Sequence, residues 1–240
     1  MESNPHISRQ RSFYDERWSG FTYINRPKLL RAIAILEAIA STRITEPRIL
    51  DLGCGTGWLT NVLGNLGPSV GVDLSDVAIG KARERYPHVE FMPVDISEWQ
   101  YPGSTFDIVV SHEVLEHLED QDAYLDKAHG LLRSGGYLIL TTPNKDAVLA
   151  YPNDAIAARD LQPIEKWVTI KQLKAKLASR FDTVSITTVI PGAGVKGAYR
   201  IIGSPITRGI MRRAGVIWFY DRVVLKLGFG LHIVAIARKP

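Results

Sequence analysis

The sequence is poor in several features, and each absence excludes a class of protein. It contains a single cysteine, Cys54, so neither an internal disulfide nor a thiolate metal cluster can form. No stretch reaches the ~18 uninterrupted apolar residues of a membrane-spanning helix. The first residues, MESNPHISRQRSFYDERW, lack the charged and then apolar pattern of a secretory signal. We therefore expect a cytoplasmic protein.

Low-complexity tracts and repeats of fixed period are also absent. The apolar fraction of 45% and the charged fraction of 22% are ordinary for a globular protein. A chain of this length can form one large core, and we expect a single domain over residues 1–240. The net charge of +4 is unevenly distributed, because residues 192–240 hold nine Lys or Arg and one acid, Asp221. The basic excess therefore belongs to the C-terminal part of the chain.

Short β-branched runs alternate with segments of helical periodicity. The strand-like runs are RILDLG, SVGVDL, VEFMPVD, FDIVVSH, GGYLILTTP, DTVSITTVI and LHIVAIARK. Such alternation predicts an α/β fold with a seven-stranded, mostly parallel sheet and helices on both faces. We expect the last strand, near residues 231–238, to be antiparallel and the reactive groups to lie at the carboxyl ends of the strands.

Two segments lie outside this alternation. Residues 1–44 include the helical pattern RPKLLRAIAILEAIA and are expected to form an N-terminal helical cap. Residues 191–229 are too long for a hairpin loop and are expected to be a basic, amphipathic helical insertion before the last strand. Its residues 196–227 could cover the active site, bind an anionic substrate, lie on a membrane surface or form a dimer contact. Alternatively, they could be an amphipathic helical hairpin packed on the sheet with its basic face in water.

A glycine-rich turn, Asp51-Leu-Gly53-Cys-Gly55-Thr-Gly57, lies between the first strand and the next helix. Glycines let the main chain turn sharply and approach a bulky ligand closely. The dinucleotide fingerprint would need Gly or Ala at position 58, where this chain has Trp58. The spacing therefore argues against a pyrophosphate ligand.

Three carboxylates lie along the same edge of the predicted sheet. Asp73, eighteen residues after Gly55, can accept hydrogen bonds from ribose hydroxyls. Asp95 can accept from an adenine amine while Ile96 packs on the ring. Asp51 would face the ammonium of an amino-acid group, which NAD and FAD lack. The series predicts a nucleoside that carries an amino acid.

The motifs DLGCGTG, VGVDLS, PVDI, FDIVVSHEVLEHL and LLRSGGYLILTTPN resemble, in order and spacing, those of the class I S-adenosylmethionine-dependent methyltransferases. The resemblance covers roughly residues 45–190 and the last strand. It implies a Rossmann-like fold with S-adenosylmethionine as cofactor. The cofactor-binding residues are then predicted to be Asp51, Gly53, Cys54, Gly55, Asp73, Leu74, Asp95, Ile96 and Ser111. In similar enzymes the segment before the first helix covers the cofactor, where Tyr14 or Arg26 could contact its carboxylate.

Catalytic candidates follow the fourth strand. His112 could take a proton from an acceptor hydroxyl, or it could only line the pocket. Glu113, Glu116 and His117 have the i, i+3, i+4 spacing of one helix face. They look like the E-x-x-E-H metal ligands of ubiquinone-pathway and small-RNA methyltransferases, although Gln162 stands where the ubiquinone-pathway group has a histidine. We therefore predict His112, Glu113 and His117 as catalytic residues without a metal, and Mg²⁺ as the less favoured alternative.

The whole pattern, including TTPN and QPIEKWVT, resembles methyltransferases of quinone, polysaccharide and natural-product pathways. This implies O-methylation of a small-molecule, sugar or lipid-linked acceptor. The alternatives are N-methylation of a small molecule, RNA modification, and a non-catalytic nucleoside-binding protein. Nucleic acid is disfavoured, because only the tail is basic and no NPPY-like motif follows the fourth strand. Trp167 could line the pocket or belong to the core, and we favour the core.

Overall fold

The computed structural model describes residues 5–20, 23–99, 101, 106–152 and 162–240. Seven strands form one sheet in the order β3-β2-β1-β4-β5-β7-β6. The strands are β1 (Ile49–Leu52), β2 (Ser69–Asp73), β3 (Glu90–Pro93), β4 (Phe106–His112), β5 (Leu132–Pro143), β6 (Thr183–Pro191) and β7 (Gly230–Arg238).

The first five strands pair in parallel, and β7 pairs antiparallel to both β5 and β6. The predicted seven-stranded, mostly parallel sheet with an antiparallel last strand is confirmed. Pro143 at the end of β5 lies opposite His232 near the start of β7. The beginning of β7 therefore lies at the same edge as the carboxyl ends of the parallel strands.

Ten helices are described. They are α1 (Pro5–Ser19), α2 (Arg26–Thr42), α3 (Trp58–Leu63), α4 (Asp76–Arg85), α5 (Gln121–Leu131), α6 (Lys145–Ala150), α7 (Ile170–Ala178), α8 (Gly197–Ile202), α9 (Pro205–Arg213) and α10 (Ile217–Lys226). Local sequence fixes several of their starts. The Asn25 side chain accepts from the backbone N–H of Lys28 at the start of α2, and Thr169 with Gln172 forms a capping box at the start of α7.

The sheet is buried on both faces. Along β1, Ile49 packs with the cluster that holds α2 and α3, whereas Leu50 packs with the cluster that holds α5 and α7. Ile139 and Leu140 of β5 divide in the same way, because successive side chains of a strand point to opposite faces. This two-sided core holds the carboxyl edge of the sheet rigid.

The insertion before the last strand consists of the three short helices α8, α9 and α10. Asn144, at the end of β5, anchors it: its side-chain amide donates to the carbonyls of Gly228 and Gly230, both 3.0 Å away. The insertion therefore starts from the same sheet edge as the candidate site. Within the described residues, no helix is long and apolar enough to cross a membrane.

Candidate active site

A cavity of about 770 Å³ lies at the carboxyl edge of the parallel strands. Its volume suits a cofactor or small substrate. Its walls come from α1, the turn after β1, the ends of β2 and β4, and the segment 162–167. Of the predicted cofactor residues, those lining it are Gly53, Cys54, Gly55, Asp73, Leu74 and Ile96.

The glycine turn has the geometry that its sequence predicts. Gly53 and Gly55 have φ values of 89° and 53°, in the left-handed region that favours glycine. A Cβ on Gly53 would lie 2.4 Å from Cγ2 of Val114, and a Cβ on Gly55 would lie 3.0 Å from the Trp18 ring. The two glycines therefore let the turn pack closely against Val114 and Trp18 while it forms part of the cavity wall.

Asp73 fixes this turn from the end of β2. One carboxylate oxygen accepts from the N–H of Gly55 at 2.8 Å, and the other accepts from the N–H of Ser75 at 3.0 Å. Burial raises the pKa of Asp73, although these two N–H donors oppose the rise. The carboxylate is thus oriented at the cavity, as recognition of ribose hydroxyls requires.

Helix α1 covers the cavity and is held there by contacts with α4 and the residue before it. The Lys81 ammonium donates to the carbonyls of Trp18, Ser19 and Gly20 at the end of α1, over 2.6 to 3.0 Å. Ser75 donates to Asp15 at 2.5 Å. Tyr14 lines the cavity, whereas Arg26 is exposed at the start of α2 and does not.

Three predicted cofactor residues are not part of the cavity wall: Ser111, Asp95 and Asp51. Ser111 is completely buried, its hydroxyl accepts from the Tyr124 hydroxyl at 2.8 Å, and it is not part of the cavity wall, so its contact with the cofactor stays a prediction. The Asp95 carboxylate accepts from the main-chain N–H and the hydroxyl of Ser97. It stabilises the turn beyond β3, while Ile96 supplies the contact at the wall.

Asp51 lies beneath the glycine turn and is 1% exposed. One of its oxygens accepts from the Thr60 hydroxyl at 2.7 Å, and the other has no partner among the described residues. Burial raises its pKa to about 7. The predicted proximity to the turn is met, but Asp51 is not part of the cavity wall.

We expect Asp51→Asn to change how stability depends on pH. Because the folded-state pKa is raised, the neutral carboxyl favours folding, and stability is lost as pH rises towards 7. The wild type should therefore lose about 3 kcal/mol more unfolding free energy than the variant between about pH 5 and pH 8. Urea unfolding at both pH values measures this difference. The exposed Asp126→Asn is the matched control, and equal losses in all three proteins would contradict the prediction.

The predicted helix through EVLEHL does not form. Glu113 has φ of 60°, a left-handed conformation that interrupts any helix, and only a 3₁₀ turn over Leu115–His117 follows. Glu113, Glu116 and His117 therefore do not share one helix face, although all three line the cavity.

An arginine joins the two sides of this site. Arg31 of α2 donates through Nε to Nε2 of His112 at 3.2 Å, and its NH1 lies 3.3 Å from Nε2 of His232. A guanidinium only donates, so both histidines accept at Nε2 and carry their protons at Nδ1. Nδ1 of His232 lies 2.7 Å from Oε2 of Glu113. Neither Arg31 nor His232 lies in a motif that marks it as a site residue in the sequence.

The contacts among Arg31, His112, His232 and Glu113 shift the pKa values of the predicted catalytic residues. Burial would raise the pKa of Glu113, but His232 and Arg31 outweigh it and hold that pKa well below its usual range. Burial lowers the pKa of His112 to about 4, against the opposing charge of Glu113. His112 is therefore a weak base whose Nε2 lone pair is already in use. Oε1 of Glu113 is buried and has no partner among the described residues.

His117 is also held in place. Nδ1 donates to the carbonyl of Ile164 at 3.0 Å, and Nε2 accepts from the Gln162 amide at 2.7 Å. Glu116 accepts from Thr142, and burial raises its pKa well above the usual range. Among the described residues, no group of three His, Cys, Asp or Glu is arranged to hold a metal ion.

Trp167 and Cys54 also lie in the cavity wall. Trp167 lines the cavity and donates through Nε1 to Glu165 at 2.8 Å, so its expected place in the core is wrong. Cys54 lies in the wall, and burial raises the pKa of its thiol well above the usual range, which makes it unreactive.

The strand order and the glycine turn define the class I methyltransferase fold. A family model described as a methyltransferase domain matches residues 24–188. The chain belongs to this family, and its cofactor is S-adenosylmethionine. The glycine cradle and the oriented Asp73 carboxylate fit that group.

Similar proteins and similar solved structures also include methyltransferases. The chain is 35% identical over 104 residues to a probable S-adenosylmethionine-dependent methyltransferase of Mycobacterium tuberculosis, which is 43% of this chain and 38% of that protein. It is 34% identical to the human mitochondrial ubiquinone biosynthesis O-methyltransferase, over 60% of this chain and 42% of that protein. The chain thus spans about two fifths of the length of these relatives. The N-methyltransferase NodS of Bradyrhizobium japonicum, solved with S-adenosylhomocysteine, has the same fold, with a TM-score of 0.64 at 16% identity over 96% of this chain and 98% of NodS.

Proposed function

We propose that the protein transfers a methyl group from S-adenosylmethionine to a hydroxyl group of a small-molecule, sugar or lipid-linked acceptor. The observation that carries the acceptor side of this proposal is Glu113. Glu113 lines the cavity, its Oε1 is buried without a partner among the described residues, and a buried carboxylate oxygen needs a donor. An acceptor hydroxyl would provide that donor.

The chain's own residues would position the reactants and exclude water. Bound S-adenosylmethionine supplies an electrophilic methyl: the acceptor oxygen forms the new C–O bond as the C–S bond breaks, and S-adenosylhomocysteine leaves. Glu113, ionised in the resting protein, accepts the hydroxyl hydrogen bond. Its low pKa makes it a weak base, so it takes the proton only as the C–O bond forms, when the methylated oxygen has become strongly acidic. His232 and Arg31 hold the carboxylate in place. Helix α1 shields the site, since Trp18 and Tyr14 lie in the cavity wall.

The proposed proton acceptor is thus Glu113 and not one of the histidines expected from the sequence. His112 and His117 were candidate bases, but the Nε2 lone pairs of both already accept hydrogen bonds, from Arg31 and Gln162. They are better suited to orienting their neighbours. Nitrogen remains the second candidate atom, because an ionised Glu113 would also bind an ammonium, and NodS, which shares the fold, is an N-methyltransferase. The cytoplasmic location stays a prediction.

The direct test is calorimetric titration of the protein with S-adenosylmethionine and, separately, with NAD, followed by an assay for S-adenosylhomocysteine with panels of phenols, sugar hydroxyls, lipid-linked alcohols and amines. We expect binding of the first cofactor only, and product with a hydroxyl acceptor. Product with amines alone would assign N-methylation. Cofactor binding without product from any panel would favour a non-catalytic nucleoside-binding protein.

The dependence of turnover on pH separates the candidate bases. The pKa of Glu113 is held low and that of His112 is lowered to about 4, so neither group titrates near neutrality. We expect kcat to show no inflection near 6.5 between about pH 5.5 and pH 8 when the acceptor hydroxyl has a much higher pKa. Stopped assays at saturating cofactor, run on the Asp51→Asn variant so that the buried carboxyl with a pKa of about 7 does not contribute, measure the profile. A fall in kcat centred near 6.5 would return proton transfer to a histidine.

A further inference from the structure

The insertion between β6 and β7 exposes an unusual amount of apolar surface. Fifteen large apolar side chains are exposed in the described part of the chain, and nine of them lie in residues 195–227. They are Val195, Ile201, Ile206, Ile210, Val216, Trp218, Phe219, Val223 and Leu227. Exposed apolar side chains concentrated in one short segment indicate a candidate interaction site.

The apolar residues form the outward faces of two helices. On α10, Tyr220 and Val224 face the protein, whereas Trp218 is 65% exposed and Phe219 is 57% exposed. At 100° per residue, Phe219, Val223 and Leu227 form one stripe on the solvent side. Ile206 and Ile210 form a similar stripe on α9, which has no buried residue. The apolar faces of α9 and α10 thus point to solvent and not to the core.

Cations flank these stripes. Residues 196–227 contain seven Lys or Arg and a single acid, Asp221. Asp221 pairs with Arg208 through two hydrogen bonds of 2.6 and 3.0 Å, so it does not neutralise the others. Arg212, Arg213 and Arg222 are exposed next to the apolar stripes. The surface therefore combines buriable apolar side chains with positive charge.

We propose that the outward faces of α9 and α10 bind an anionic lipid surface, with Trp218, Phe219 and the isoleucines entering the headgroup region and the arginines contacting lipid phosphates. A second copy of the chain fits less well, because a symmetric contact would bring the two sets of cations together. Nucleic acid also fits less well, because most of the exposed side chains are aliphatic and cannot stack on bases.

The position of this surface relates it to the active site. The insertion begins after Pro191 and ends before Gly230, both at the sheet edge that carries the cavity. Binding to a membrane there would bring the site near the lipid headgroups, which supports a lipid-linked acceptor. The lipid contact itself does not depend on the identity of the acceptor.

The test is co-sedimentation of the full chain with vesicles of phosphatidylcholine, alone or mixed with phosphatidylglycerol. We expect binding to the mixed vesicles that weakens with salt, and little binding to the neutral ones. Both Trp218→Ser/Phe219→Ser and Arg212→Gln/Arg213→Gln should weaken binding at least about tenfold. Their affinity for S-adenosylmethionine should stay unchanged, which separates this result from failure of the proposed function and shows that both variants fold.

The control variant is Arg43→Gln/Leu66→Ser, which removes a charge and an exposed apolar side chain in the loops before β1 and β2, at the opposite edge of the sheet. It should bind vesicles like the wild type. No sedimentation of the wild type with anionic vesicles would overturn the proposal. The same holds if light scattering shows a dimer that the Trp218 and Phe219 changes disperse, or if a homopolymer RNA binds while vesicles do not.

Discussion

Asp73→Ala should raise the Kd for S-adenosylmethionine by about a hundredfold or more. Hydrogen bonds to a charged group contribute about 1.5 to 3 kcal/mol each, and the variant loses both oxygens predicted to hold the ribose. It also removes the acceptor for the N–H of Gly55, which fixes the glycine turn. Calorimetric titration measures the change, and circular dichroism checks that the variant is folded.

The matched control for Asp73 is Asp126→Ala. Asp126 is an exposed carboxylate on α5, paired with Arg180 away from the cavity. Its removal should leave cofactor affinity within the error of the titration. If Asp73→Ala bound the cofactor as tightly as this control, the assignment of the cofactor site to the edge of β1 and β2 would be refuted.

The cofactor half of the site could be predicted because its signals are local. A glycine turn between a strand and a helix occupies a few consecutive residues, and Asp73 ends the next strand at a fixed distance from it. Parallel strands bring such ends together, so topology alone places these residues side by side. The burial of a single side chain is harder to predict, because nothing in the local sequence shows that Ser111 points into the core towards Tyr124.

The acceptor half could not be predicted in the same way. Arg31 and His232 are 201 residues apart in the chain, and no periodicity connects them. The spacing of Glu113, Glu116 and His117 matches a helix, but the left-handed backbone of Glu113 removes it. A carboxylate held by His232 and Arg31 can compensate for local strain of this kind. A functional site is where a local rule is most often broken.

The insertion before the last strand could be predicted from the sequence only in part. Its amphipathic pattern is visible in the sequence, as are Gly203 and Gly215, which separate the three helices. The direction of the apolar faces is not visible, because the same periodicity suits a helix packed on the sheet. Only the exposure of Trp218 and Phe219 decides between the two arrangements.

Glu113→Gln should lower kcat by about a hundredfold or more while changing the affinity for S-adenosylhomocysteine only a few-fold. The substitution preserves volume but removes the charge that receives the proton, and a positioned acid or base contributes about 10² to 10⁴ in rate. It also leaves Arg31 without its buried counter-charge and Nδ1 of His232 without the carboxylate that it faces, so we expect a lower Tm. Stopped assays for S-adenosylhomocysteine, run below the Tm of the variant, measure the effect on chemistry alone.

The control for Glu113 is Glu119→Gln, the same chemical change at an exposed carboxylate paired with Lys166. It should turn over like the wild type. His232→Asn separates positioning from proton transfer, since the Asn amide keeps one donor and one acceptor without the imidazole geometry and leaves the Glu113 carboxylate in place. We expect kcat to fall less than in Glu113→Gln, because the carboxylate remains. A Glu113→Gln protein with the kcat of the wild type would show that methyl transfer here needs alignment only, and that Glu113 serves to hold Arg31 in the fold.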